Sequence, residues 1–127
     1  VYTMYLRRWE LSLNEYLVLE SLREFPKGMQ PAQLAERVSI QRQLVTIILN
    51  KLEERGFILR RESRTDHRRK IIRLNPAGRV FAEEVCGSVE QLDLHGLEVL
   101  SDSEREKLLE YTERFYLAIL ERAGKPD

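Results

Sequence analysis

The sequence predicts a mainly α-helical fold that carries one small β-hairpin. Two serine capping boxes, which begin at Ser12 and Ser101, mark the starts of long helices. Residues 31–55 have the pattern of two short helices joined by a tight turn. Residues 56–75 contain two short β-branched runs on either side of a loop crowded with arginine. Together these observations favour a compact helical body with a basic hairpin on its surface.

The length and composition limit the class of protein. With 127 residues the chain has the size of one domain with a real core. No apolar run approaches the roughly 18 residues that a membrane span needs, and no signal peptide is visible, so we expect a cytoplasmic protein without a membrane partner. The chain begins at Val1 without a methionine, which leaves room for further N-terminal residues.

Helix start and stop signals predict the elements in the first third of the chain. Residues 1–9 have the apolar spacing of the tail of a helix. The capping box at Ser12 should open a helix that runs to about Phe25 and ends before Pro26 and Gly28. Its expected buried stripe consists of Leu13, Tyr16, Leu19 or Val18, and Leu22.

The helix-turn-helix pattern follows. Pro31 can occupy the first position of a short helix because no backbone hydrogen bond is lost there. Ser39 is expected to cap the next helix, which should run to Arg55 and stop at Gly56.

The second of these helices separates into two faces at about 100° per residue. Its apolar face is formed by Leu44, Val45, Ile48 and Leu52. Its polar face carries the residues that we predict to contact DNA: Ser39, Arg42, Gln43, Thr46 and Asn50. Glutamine and asparagine can bond adenine edges, arginine can bond guanine, and a threonine methyl can touch thymine. Every amphipathic helix has a polar face, but the near-absence of Glu and Lys from its N-terminal half favours DNA contact.

The zero net charge of the chain hides a division between its parts. Residues 55–73 carry a net charge of +6, whereas residues 83–127 carry −7. A basic run is often only solvated surface. Because this one lies beside a helix-turn-helix pattern, we interpret it as a surface for an anionic partner.

The basic block has the form of a hairpin. One strand is led by Phe57-Ile58-Leu59, its partner is residues 70–74, and the loop lies near residues 63–69. The basic residues expected to reach phosphates or a narrow minor groove are Arg61, Arg64, His67, Arg68 and Arg69. Asp66 lies two residues before Arg68 and could orient its guanidinium by a charge-assisted hydrogen bond.

These residues carry a resemblance to the MarR family of bacterial winged-helix regulators. The wing signature of that family is Asp-x-Arg, five further residues, then Leu-Thr-x-x-Gly, and here Asp66, Arg68, Leu74 and Gly78 match it. The end of the recognition helix and the entry to the wing also match, at Leu52-Glu53, Gly56-Phe57-Ile58 and Arg60. There are two departures: Asn75 replaces the usual threonine, and Ile47 stands where many relatives carry a basic or small residue.

The resemblance implies a single MarR-type domain over residues 1–127. It places a winged helix-turn-helix DNA-binding lobe at residues 11–75 and helical dimerisation regions at residues 1–10 and 76–127. It further implies a homodimeric transcriptional regulator, expected to be a repressor, on a double-stranded, pseudo-palindromic operator. The recognition helix would lie in the major groove and the wing in the adjacent minor groove.

The C-terminal sequence supports a dimer independently. A helix should begin at Pro76 and run to about His95, where Gly96 breaks it, and a second should run from Ser101 to about Arg122. The apolar positions of the second helix are too many for one narrow stripe: Leu108, Leu109, Tyr111, Phe115, Leu117, Ala118, Ile119 and Leu120. A second chain would cover them, and packing against residues 1–9 is a compatible alternative.

Catalysis and cofactor binding find no support in the sequence. It has no Gly-rich phosphate loop, no HExxH and no paired cysteines, so we predict neither an enzyme nor a metal or cofactor site. Cys86 lies among Phe81, Val85 and Val89, which favours a small buried hydrophobe over a redox sensor.

Two alternatives remain open. The resemblance implies that a small aromatic or phenolic effector could bind, and Tyr5, Trp9 and Tyr16 could line its site, although aromatic residues at helical spacing are usually core. The second alternative is a winged-helix protein–protein interaction module, whose basic face docks an acidic partner and never binds DNA.

Overall fold

The computed structural model describes residues 1–62 and 70–125, and the chain divides into two compact units, residues 1–89 and 90–127. The elements are α1 (Tyr2–Leu6), α2 (Leu13–Glu24), α3 (Pro31–Val38), α4 (Arg42–Glu54), β1 (Ile58–Glu62), β2 (Lys70–Leu74), α5 (Pro76–Leu97) and α6 (Asp102–Ala123). A short 3-10 helix at Arg7–Trp9 follows α1. The predicted mainly helical fold with one antiparallel hairpin is confirmed.

Helix α2 begins where its capping box predicts. The Glu15 backbone N–H donates to the Ser12 hydroxyl oxygen at 3.1 Å, and the Ser12 N–H donates to the Glu15 carboxylate at 3.3 Å. The expected burial of Leu13 is wrong, since its side chain is 41% exposed. Leu13 precedes the buried Leu22 by nine positions, which at about 100° per residue places the two on opposite sides of the helix.

The first unit has a single apolar core to which all of its longer elements contribute. Among its fully buried side chains are Leu22, Leu34, Leu52, Ile72 and Val85, which come from α2, α3, α4, β2 and α5 respectively. Full burial of one such side chain contributes about 1.5–3 kcal/mol. This core joins α4 and the hairpin within the first unit.

The hairpin has a defined register and is attached to the helices by a backbone bridge. Its strands pair antiparallel from Ile58 opposite Leu74 to Glu62 opposite Lys70. On the other side of β2, Met29 and Ile72 exchange two N–H···O bonds of 2.8 Å each. The predicted strands are therefore confirmed, whereas the tip at residues 63–69 lies outside the described residues.

Helix α5 is tied to the base of the hairpin by Asn75. Its side-chain oxygen accepts from the Gly78 N–H at 2.7 Å, and its amide nitrogen donates to the Gly56 carbonyl at 2.7 Å. Gly78 is required there, because an added Cβ would lie 2.0 Å from the Phe57 carbonyl oxygen. The predicted start at Pro76 is confirmed.

The predicted break of α5 at Gly96 is wrong, because the helix continues to Leu97. A glycine costs only about 1 kcal/mol within a helix, so it does not end one alone.

In the middle of α5, Cys86 is buried, as predicted for a small hydrophobe.

In the second unit, α6 begins with a capping box like that of α2. The Ser101 N–H donates to Glu104 Oε1 at 2.8 Å, and the Glu104 N–H donates to the Ser101 hydroxyl oxygen at 3.2 Å. Arg105 Nε also donates to the Leu97 carbonyl at 2.8 Å and so fastens the turn before α6. No side chain of α6 is buried.

Candidate nucleic-acid interface

The turn between α3 and α4 differs from its prediction at Ser39. The expectation that Ser39 caps α4 is wrong, because Gln41 is the N-cap and Ser39 instead ends α3 in the left-handed conformation at φ 60°. Its N–H donates to the Glu36 carbonyl at 3.3 Å, and the Ile40 N–H donates to the Ala35 carbonyl at 3.1 Å. This pair of bonds is a Schellman motif, which places Ile40 against the core. Ser39 remains exposed just before α4.

Helix α4 presents a polar stripe to solvent. Its buried residues are Val45, Ile48, Leu49 and Leu52, of which Leu49 was not predicted, while Leu44 is only half-buried. Its exposed residues include every predicted contact on the helix: Arg42, Gln43, Thr46 and Asn50. Spacings of three and four residues place these side chains as neighbours along one side. Ile47, which is 52% exposed, adds an apolar contact surface there that the sequence analysis did not assign.

The polar residues of this stripe are not equivalent. The side chains of Arg42 and Gln43 make no hydrogen bond or ion pair to another described residue. The Thr46 hydroxyl donates to the Arg42 carbonyl at 3.1 Å, so its hydrogen is used within the helix. The first two turns of α4 therefore leave a guanidinium and a carboxamide available for an external partner.

The third turn of α4 is occupied by a side chain from the hairpin. Arg60 Nη2 donates to Asn50 Oδ1 at 2.6 Å, and Arg60 Nε donates to Glu53 Oε2 at 2.6 Å. Arg60 thus bridges β1 and α4. Sequence reasoning placed Arg60 at the base of the wing but missed this bridge, which forms where the chain turns from α4 into β1 at Gly56, with φ 79°.

The C-terminal end of α4 is held by Arg55. Its guanidinium donates to the Trp9 carbonyl at 2.9 Å and to the Glu10 carbonyl at 3.3 Å. It also lies 4.9 Å from the ring centroid of Phe81, which is stacked on Phe57 at 4.3 Å. These contacts hold the C-terminal end of the helix that carries the polar stripe.

The hairpin contributes further positive charge. Arg61 is exposed on β1 and has no ion-pair partner among the residues that the structure describes. The remaining predicted contacts at the tip, Arg64, His67, Arg68 and Arg69, lie outside the described residues together with Asp66.

Two other arginines of the first unit are already paired. Arg23 donates to Glu83 through two nitrogens, at 2.8 and 3.1 Å, and these hydrogen bonds hold the pKa of the Glu83 carboxyl below its ordinary value. Arg37 pairs with Glu24. Such exposed pairs contribute little to stability, but they leave these two arginines less available to an anionic partner.

The aromatic residues considered for an effector belong to the core. Tyr16 is buried, and the half-buried Tyr5 and Trp9 pack against the core with their ring centroids 5.5 Å apart. Within residues 1–62 and 70–125, no cluster of His, Cys, Asp and Glu could hold a metal ion. The same ranges contain no helix with the length and hydropathy needed to cross a bilayer.

Comparison with known proteins agrees with this geometry. A profile of the MarR family matches residues 9–69. A protein of Thauera aromatica, described as a candidate transcriptional regulatory protein for the hcr operon, is 32% identical over 89 residues. The match covers 70% of this chain and 54% of that protein, so the chain spans about half the length of this relative.

Solved structures show the same fold. The DNA complex of MepR from Staphylococcus aureus has a TM-score of 0.76 at 20% identity, with 91% of this chain and 85% of that chain covered. Apo wild-type MarR from Escherichia coli has a TM-score of 0.77 at 23% identity, with 89% and 84% covered. By the family profile over residues 9–69, the wing signature and the shared winged-helix fold, the chain is similar to regulators of the MarR family.

Proposed function

We propose that this chain is a sequence-specific, double-stranded DNA-binding transcriptional regulator that acts as a homodimer. Helix α4 enters the major groove, and the wing, defined as residues 58–74, enters the adjacent minor groove of a pseudo-palindromic operator. In this proposal residues 11–75 form the DNA-binding lobe, and residues 1–10 and 76–127 form the dimerisation region. Repression is the simplest consequence, because a dimer bound at a promoter competes with polymerase for the same DNA.

The observation that carries this proposal is the polar stripe of α4. Arg42 and Gln43 are exposed near its start without a described partner, and the first acidic residue of the helix is Glu53 in its last turn. A helix that enters a groove needs side chains that can bond base edges and must avoid carboxylates near phosphate. The MepR structure supports the proposal, because that protein has the same fold and was solved with DNA.

Three arginines on α4 and the hairpin support phosphate contact beside the stripe. Arg42 on α4, and Arg61 and Arg73 on the hairpin, have no ion-pair partner among the described residues. Each cation that neutralises a phosphate releases a counterion and strengthens binding at low salt. The basic tip of the wing, by its sequence, adds Arg64, Arg68 and Arg69 to this set.

Helix α6 supports a homodimer. Its exposed apolar side chains include Leu109 at 71% and Phe115 at 69%, and they extend over most of its length. An apolar surface of this extent in a soluble protein marks an interaction site. A second copy of the chain would cover it and would supply the second recognition helix that half-sites about 34–36 Å apart require.

Release by a small aromatic or phenolic effector is compatible with this proposal, but it has no assigned residues. Tyr5, Trp9 and Tyr16 are explained by core packing. A titration of the protein–DNA complex with such compounds would measure release directly.

The decisive test of DNA binding is a titration against random duplex at two salt concentrations. Each neutralised phosphate contributes about −0.9 to the slope of log K against log salt, so several contacts should give a steep loss of affinity. A flat or absent response would favour the alternative of a protein–protein module. Sequences selected from a random pool should then show twofold symmetry.

A pair of glutamine variants tests base reading by α4. Gln43→Ala should change the selected sequence at one position of each half-site more than it changes overall affinity. Gln91→Ala is the matched control, because Gln91 is exposed on α5 outside the proposed DNA-binding lobe. Equal and sequence-independent losses from both variants would contradict major-groove reading by α4.

A further inference from the structure

The bridge between Arg60 and Asn50 restricts which hydrogen bonds Asn50 can offer to DNA. A guanidinium has only donors, so the Asn50 atom that lies 2.6 Å from Arg60 Nη2 is necessarily the acceptor, Oδ1. The amide oxygen is therefore turned toward the wing. The amide nitrogen, with both of its donors, is on the other side of the carboxamide group.

Glu53 fixes the donor itself. Arg60 Nε donates to Glu53 Oε2 at 2.6 Å, so the guanidinium is held by two contacts on α4 at once. Charge-assisted hydrogen bonds of this length are the stronger class, and a planar guanidinium held at two points has little rotational freedom. The orientation of the Asn50 amide is thus set before DNA arrives.

This orientation conflicts with the usual contact between asparagine and adenine. That contact needs the amide oxygen to accept from the adenine N6 amino group while the amide nitrogen donates to N7. Here the Arg60 guanidinium uses one of the two lone pairs of Oδ1, and its positive charge disfavours a second donor beside it and polarises the amide N–H groups toward an acceptor. Guanine presents two acceptors, N7 and O6, on its major-groove edge and suits this arrangement better.

We propose, on the basis of the proposed function, that Arg60 is a positioning residue that makes Asn50 a donor-only reader, selecting guanine over adenine at its position in each half-site. The wing and the recognition helix are then coupled, because a side chain of β1 sets the specificity of α4. Gln43 provides a contrast, since its amide has no described partner and can turn to suit adenine.

The test begins with selection of bound sequences from a random duplex pool. Wild type and Asn50→Ala are compared, and the position whose preference disappears in Asn50→Ala is the one that Asn50 reads. At that position wild type should prefer guanine over adenine by about tenfold. A wild-type preference for adenine there, or a uniform loss of affinity in Asn50→Ala without any change in sequence preference, would overturn the proposal.

Two arginine variants separate positioning from charge. Arg60→Met releases the Asn50 amide, so the preference for guanine should fall below about threefold. Arg61→Met removes the same charge from the same strand, but Arg61 makes no described bond to α4. It should weaken binding to all sequences alike and retain the guanine preference. An unchanged guanine preference in Arg60→Met would contradict the positioning role.

A measurement on the wild-type protein avoids dependence on variants that fold poorly. Guanine at the identified position is replaced by 7-deazaguanine, which lacks N7, or by 2-aminopurine, which lacks O6. At least one replacement should weaken binding by about tenfold, and no loss from either would refute donation by Asn50. If wild type binds no duplex at all, the proposed function itself fails, which is a different result from a wrong base preference.

Discussion

Helices α2 and α6 begin in the same way but have opposite surroundings. Each starts with a serine capping box in which serine and glutamate satisfy each other's backbone N–H. Helix α2 buries five side chains in the core of the first unit, whereas α6 buries none of its own. A capping box therefore determines where a helix begins and carries no information about what covers it.

The difference between the two helices lies in how their apolar residues are used. In α2 the apolar side chains meet α3, α4 and the hairpin of the same chain. In α6 an apolar stripe at spacings of three and four residues, formed by Leu108, Tyr111, Phe115 and Ile119, is exposed. The stability of α2 is thus intramolecular, while we infer that α6 depends on a second copy of the chain.

The largest expected effect tests whether a second copy of the chain covers the apolar stripe of α6. Phe115→Glu places a carboxylate in the proposed interface, so the protein should sediment as a monomer. Its operator affinity should fall by about 10²-fold or more, since linked binding of two half-sites is lost. Ser103→Glu is the control, because it adds the same carboxylate to α6 twelve positions earlier, about 120° around the helix from Phe115. A Phe115→Glu protein that remains dimeric would disprove dimerisation through this stripe.

A smaller effect, on the free energy of unfolding, tests the burial of α2 in the core of its own chain. Leu22→Ala removes a fully buried side chain and should lower the free energy of unfolding by about 2–5 kcal/mol. Leu13→Ala is the same chemical change on the same helix at an exposed position, and it should cost no more than about 0.5 kcal/mol. Urea unfolding of both variants at one protein concentration measures the difference. Equal losses would contradict the burial pattern of α2.

Local signals in the sequence were sufficient to predict where most helices begin. The capping boxes at Ser12 and Ser101, Pro31 at a first helical position and Asn75 before α5 all act through residues within four positions of each other. Such short-range hydrogen bonds can be inferred without knowledge of the rest of the fold. The order of elements followed from them.

Features that depend on the surroundings were not predictable in the same way. Serine is favoured as an N-cap, but Ser39 takes a left-handed conformation in a Schellman turn that packs the half-buried Ile40 against the core. Asn50 was expected to be a free base reader, yet its oxygen is bonded to Arg60, ten positions later. The residues at the tip of the wing lie outside the described residues, so their assignment still depends on the sequence.

The smallest expected effect concerns the equivalent starts of α2 and α6. Ser12→Ala should cost about 1 kcal/mol through loss of an N-cap, and Ser101→Ala should also be destabilising. Hydrogen bonds from the Ser101 backbone and hydroxyl groups hold the pKa of Glu104 below its ordinary value of 4.5. The stabilisation from ionised Glu104 is therefore complete above pH 4.5 and is lost as the pH falls through the lower pKa of the folded state. The difference in unfolding free energy between wild type and Ser101→Ala, measured by urea unfolding at several pH values, should therefore shrink in acid. A difference that grows on acidification would contradict this capping box.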